Sequence, residues 1–157
     1  MSSGLLESLR GYLEEELDGL TSTDESLSAV ADVRYGEVIV QIEHDVESQA
    51  IRVQVTVPPP AGAGPSFLVW CLSINTQYWD VKIGLDDEGM LCLHADLEAE
   101  GTQADEMLAS DVADRVDSIL QLLDEDLTDY LVAHELGTPS QRVRWQSRPP
   151  VGAETED

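Results

Sequence analysis

Three histidines, two cysteines and thirty-two acids are the side chains of this 157-residue chain that could do chemistry. His44, His94 and His134 stand far apart, and no two share a spacing that would bring both onto one metal ion. Cys71 and Cys92 make neither a CxxC nor a Cys/His zinc pattern. Each sits in an apolar run, which predicts a reduced, buried, small hydrophobe. Asp86-Asp87-Glu88-Gly89 has the composition of a calcium loop but not its frame, because a glycine at the sixth loop position would put Gly84 on the first ligand position. An ordinary hairpin turn fits instead, with Gly89 supplying a left-handed backbone position. The acids of the long helix have no nucleophile or phosphate loop beside them in sequence, so they read as a solvated face. The nucleophile elbow GxSxG, the dinucleotide fingerprint GxGxxG and the P-loop are all missing from the sequence. No catalytic residue, no cofactor and no metal site is therefore expected, and an enzyme is the least supported class.

Charge says more about partners. Thirty-two acids face eight lysines and arginines, a net charge of −24. Phosphate-rich nucleic acid and an anionic membrane surface are poor partners for such a body, whereas a basic polypeptide segment is attracted to it. Solubility or a salty cell interior would explain the same balance. Lys82 is the only lysine. The opening residues lack the basic region and long apolar run of a signal peptide, and no run approaches a membrane span, so a soluble cytoplasmic protein is expected.

The elements come from periodicity. Residues 4–20 read as a first helix, with Leu5, Leu9, Leu13, Leu17 and Leu20 on one stripe and Leu6 and Tyr12 widening it. Ser3 is placed to cap it. Three strands follow within 27–57, the clearest being Ile51, Val53, Val55 and Val57 alternating with Arg52, Gln54 and Thr56. Pro58-Pro59-Pro60 stops that strand. Residues 67–77 are apolar nearly all round, which suits a buried helix or a buried strand; Pro65-Ser66 favours a helix start. Such a helix in a small domain implies that a second subunit covers part of it. Val81, Ile83 and Leu85, then Leu91, Leu93, Ala95 and Leu97, describe a hairpin with one apolar face. Thr102 is placed to cap a long closing helix whose stripe runs Leu108, Val112, Val116, Ile119, Leu123, Leu127 and Tyr130. Asp124, Glu125, Asp126 and Asp129 crowd its C-terminal half, where the helix dipole disfavours them; buried leucines or a basic partner must offset that cost. Residues 1–137 read as a single α+β domain, an antiparallel sheet of about five strands with helices at both termini and one in the middle. Residues 138–157 read as an extended, partly disordered tail. In it Arg142, Arg144 and Arg148 surround Trp145, which fits folding back on the acidic body better than nucleic-acid stacking.

The order helix, three strands, helix, two strands, helix resembles the type III secretion chaperone fold of the class I effector chaperones and of the YbjN-like bacterial proteins. The part most similar is 66–131: a short helix ending Ile74-Asn75-Thr76, the strand Val81-Lys82-Ile83-Gly84-Leu85, the Asp87-Glu88-Gly89 turn, Leu91-Cys92-Leu93, and a long acidic helix. The resemblance implies a homodimer, with the middle helix or its neighbouring strand at the interface. It further implies that the first helix and the outer sheet bind an extended segment of another protein. Leu5, Leu9, Tyr12 and Leu13 are the expected partner-binding residues, although such a stripe is more often core than a docking groove. Trp70, Ile74, Trp79 and Cys92 are the expected dimer contacts, with core packing the alternative for both tryptophans. The leading function is a chaperone-like, non-enzymatic binding module. A YbjN-like regulatory or scaffold protein without a secreted client comes second, and an acidic DNA mimic third. The proline-glycine insert at 58–65 and the Arg-Trp tail depart from the family's pattern.

Overall fold

The computed structural model describes residues 3–45, 47–99 and 104–136. Six strands make one antiparallel sheet: β1 (Asp18–Ser22), β2 (Ser26–Val33), β3 (Gly36–Asp45), β4 (Ala50–Val57), β5 (Lys82–Leu85) and β6 (Leu91–Glu98). Their order is β1-β2-β3-β4-β6-β5, so the second hairpin adds through β6 and leaves β5 at an edge. The helices are α1 (Ser3–Leu13), α2 (Pro65–Gln77), α3 (Asp105–Gln121) and α4 (Thr128–Ala133), with a π-helical segment, Leu122–Leu127, joining the last two.

Alternation sorts the two sheet faces. Leu27, Ala29 and Ala31, then Val38, Val40 and Ile42, then Ile51, Val53, Val55 and Val57, then Leu91, Leu93 and Ala95 are all buried. Register keeps them on one side: Val40 lies opposite Val55, and Val53 opposite Ala95. A one-residue slip would turn every one of them to water, at roughly 1.5–3 kcal/mol for each large side chain. Ile39, Gln41, Glu43, Arg52, Asp96 and half-buried Cys92 and His94 occupy the other face. α3 packs on β4 and β6, α1 packs on α3, and α2 lies beside β5. The result is two layers, helices over one face of the sheet, with the second face left uncovered by the described residues.

Three expectations need correcting. The first helix stops at Leu13 rather than running to 20. Glu14, Glu15 and Glu16 would sit at the negative end of the helix dipole, and Gly19 takes a left-handed φ of 60°. Leu17 still reaches the core, and the chain then forms β1, the sixth strand, whose pairing with β2 is bulged between Asp18 and Thr21. The long closing helix is interrupted by the π segment, which widens the turn enough to bury Leu122 together with Leu123 and Leu127. Cys92 is half-buried on the outer sheet face, not in the core. The residues expected as caps or tail, Thr102 and 138–157, lie outside the described residues, as does the side chain of Ser3.

The acidic turn is an ordinary hairpin turn. Gly89 has φ 78°, and the Asp86 carboxylate accepts the Glu88 and Met90 N–H groups, each at 2.9 Å. Among the described residues no group of three His, Cys, Asp or Glu side chains could hold a metal ion. No helix of the described residues is long and apolar enough to cross a membrane.

Candidate partner-binding surface

The middle helix divides its apolar residues between two faces. Phe67, Cys71 and Ile74 recur at four and three residues and are buried. Leu68, Val69 and Leu72 lie on the other side and are 44%, 66% and 67% exposed. Trp79, just past the helix end, is 95% exposed. Three large apolar side chains exposed on one helix face mark a surface meant to be covered, whereas Trp79 borders a separate depression with Asp80, Lys82, His94, Asp96 and Arg115.

Four sets of contacts hold that surface still. Gly64 and Pro65 start the helix, proline sitting where no intrahelical N–H is needed. At the far end Lys82 Nζ donates to the Asn75 and Tyr78 carbonyls at 3.0 and 3.2 Å, a cation on the negative helix end. Asn75 docks the helix to the sheet: Ile83 N–H donates to its Oδ1 at 2.7 Å, and its Nδ2 donates to the Ile83 carbonyl at 2.9 Å. A side-chain amide thereby takes the place of a seventh strand on the outward edge of β5. Finally, α2 is joined to the closing helix. Trp70 lies 5.8 Å from Phe67 and 4.7 Å from Tyr130, ring centre to ring centre, and Tyr130 stacks on His134 at 4.0 Å. The Tyr78 hydroxyl donates to the Asp126 carboxylate in the π segment. That bond to a carboxylate, helped by burial and the neighbouring acids, pushes the Tyr78 phenol up to about 12.

The crowded acids find partners inside the molecule. Arg34 donates from its backbone N–H to Asp124 Oδ1 at 2.6 Å, from Nε to the Asp124 carbonyl at 2.7 Å, and pairs with Asp129 at 3.2 Å. The Thr128 hydroxyl donates to the Leu123 carbonyl at 2.9 Å, satisfying an oxygen that the π geometry displaces. Burial pushes the Cys71 thiol up to about 11 and raises Cys92 as well, so neither is a thiolate nucleophile at neutral pH.

The expected dimer contacts do not stay together. Trp79 stands in water, Trp70 is half-buried in the aromatic cluster, Ile74 is buried within the domain, and Cys92 lies on the outer sheet face. Leu5, Leu9 and Leu13 of the expected α1 docking stripe are at most 2% exposed, covered by α3. Only Tyr12 of that set reaches solvent, 42% exposed. The residues that sequence reasoning missed are Asn75, Tyr78 and Arg34. The one available signal was Asn75, a polar residue directly after Ile74 at the end of the apolar run that opens at Phe67.

The outer sheet face is polar. A depression of about 770 Å³ on it is lined by Glu25, Glu43, His44, Asp45, Arg52 and Asp96 among others. Arg52 grips Asp96 with two bonds of 2.7 and 2.9 Å and holds that carboxyl below the usual range.

No protein-family model and no curated protein matches the sequence. Solved structures do resemble the fold. YbjN from E. coli matches at 19% identity and a TM-score of 0.57, over 83% of this chain and 93% of that one. A chain of the ExsC–ExsE complex matches at 20% identity and a TM-score of 0.53, over 76% and 88%. A chain of the HopA1–SchA chaperone–effector complex matches at 15% identity and a TM-score of 0.51, over 72% and 85%. The chain has the type III secretion chaperone fold, which YbjN shares.

Proposed function

We propose that this protein is a non-enzymatic binding module, paired with a second copy of itself, that holds an extended segment of another polypeptide. The observation that carries the reading is the exposed apolar face of α2, Leu68, Val69 and Leu72, with the fully exposed Trp79 just past the helix end. Aromatic and aliphatic anchors on a rigid helix supply interface energy at low entropic cost. Asn75 occupies the outward edge of β5 at Ile83, which favours the helix face over the strand edge for self-association.

Pairing through α2 leaves the outer sheet face and Tyr12 for the partner polypeptide. A net charge of −24 steers a basic segment toward them and repels nucleic acid and anionic membranes. Named chaperone–effector and protein–protein complexes among the structural neighbours support a protein partner. A cytoplasmic site of action accompanies this reading. The second reading is a regulatory protein, favoured by the extent of the match to YbjN, itself proposed to be a transcription regulator.

The test is affinity capture of the tagged full chain from its native lysate, with protease protection of whatever is bound. One dominant partner protected over a short segment supports the binding-module reading. Protection of a partner as a whole folded domain supports the regulatory one, and recovery of nucleic acid refutes both.

A further inference from the structure

Beside α2 runs a groove of about 430 Å³, floored by Pro59, Pro60, Pro65, Phe67, Leu68 and Leu85. Its composition is apolar, but one lip is acidic. Leu85 and Gly89 both line the groove, and they bracket the exposed Asp86, Asp87 and Glu88. The described chain ends close to the groove. Gly62 lines the groove, and Leu136 Cδ2 lies 3.5 Å from the place a β-carbon on Gly62 would occupy.

The chain continues from Leu136 to Asp157. Nine residues on comes Trp145, among Arg142, Arg144 and Arg148, three of the seven arginines in the sequence. Nine residues span up to about 30 Å, so the groove is within easy reach of its own C-terminal segment. The chemistry is complementary. An indole fills an apolar floor, and guanidinium groups pair with an acidic lip. Attachment close to the groove also raises the effective concentration of the segment to the order of millimolar, so even a weak contact is occupied.

We propose that residues 141–148 dock in cis in this groove, Trp145 on its floor and the arginines against Asp87 and Glu88. Leu68 belongs both to the groove and to the exposed face of α2. The docked segment therefore overlaps the surface assigned above to a second copy, and the two compete. That competition rests on the proposed pairing through α2; the docking itself does not.

The full-length chain, labelled with ¹⁵N, tests this by amide NMR of the wild type against Trp145→Ala. Dispersion of the remaining amides verifies that the folded domain tolerates the change. The expected result is movement of the Gly62, Gly64, Leu68, Leu85 and Gly89 amides, unchanged on dilution. Asp87→Lys with Glu88→Lys is expected to move the same floor amides toward their Trp145→Ala positions. Groove amides that ignore Trp145→Ala overturn the proposal. So do shifts confined to another face, or shifts that disappear on dilution, which would mean that a second molecule supplies the occupant.

Discussion

Leu72→Ala offers a quantitative test of pairing through α2. Full burial of a leucine is worth roughly 1.5–3 kcal/mol. Leu72 keeps 67% of its surface in water, so a covering subunit gains about 1–2 kcal/mol from it. In a two-fold dimer the same patch appears on both sides, which doubles the loss to about 2–4 kcal/mol per dimer. At 1.4 kcal/mol per decade, the dissociation constant should rise by roughly 30-fold to 1,000-fold. Stability of the single domain should move by less than about 0.5 kcal/mol, because the side chain is already solvated. Sedimentation equilibrium over a concentration series reads the first quantity, and urea unfolding of the monomer reads the second. Trp79→Ala, removing an indole that is 95% exposed, should weaken the dimer by at least about 2 kcal/mol. A wild-type chain that stays monomeric at high concentration refutes the reasoning, as does a dimer indifferent to both substitutions.

Other consequences concern how the surface is held. Asn75→Ala removes two bonds to Ile83 and should cost about 1–2 kcal/mol, with faster hydrogen exchange at the Ile83 amide as the specific signature. Tyr78→Phe should cost about 1–2 kcal/mol at neutral pH by urea titration, since the phenol donates to a carboxylate. The folded phenol is raised above its unfolded value of 10 to about 12, so its contribution is full below pH 10 and lost as pH rises through 12. Wild type should therefore lose stability in that window while Tyr78→Phe does not. Asp117 is raised by burial first and by Glu16 next. A raised carboxyl stabilises only below its unfolded value of 3.8, and that contribution is lost as pH climbs through the folded value. Asp117→Asn should accordingly raise the melting temperature at pH 7, with the gain vanishing below pH 3.8.

The strands of 36–57 and 82–98 were legible because period-two alternation and one-sided burial are the same fact seen twice. Val53 and Leu93 declare their face without any knowledge of their neighbours. The fold class followed from element order. The sixth strand did not, because Thr21 and Ser22 carry no alternation, and β1 exists through pairing with β2 rather than through its own composition. The π segment was invisible for a related reason. Leu122 breaks the stripe that Ile119, Leu123 and Leu127 define, and only the packing reveals a turn wide enough to bury it. At the surface, the sequence showed that α2 was apolar all round and implied that something covers it. It could not say which face the domain itself would use. Nor could it show that α3 already covers Leu5, Leu9 and Leu13, because that depends on contacts about a hundred residues apart. Arg34 reaching Asp124 and Asp129 is legible only in three dimensions for the same reason.

The π segment at Leu122–Leu127 also gives the closing helix a place where its length can change. A π turn lodges one residue more than an α turn. Deleting a residue from regular α3 would rotate everything after it by about 100°, swinging Tyr130 away from Phe67 and Trp70 and turning Leu131 out of the core. Deleting one between 122 and 127 would relax the wide turn into an ordinary one and leave Tyr130 and Leu131 on their present faces. The aromatic bridge from α4 to α2 is thus insulated from single-residue loss at that one point along the helix.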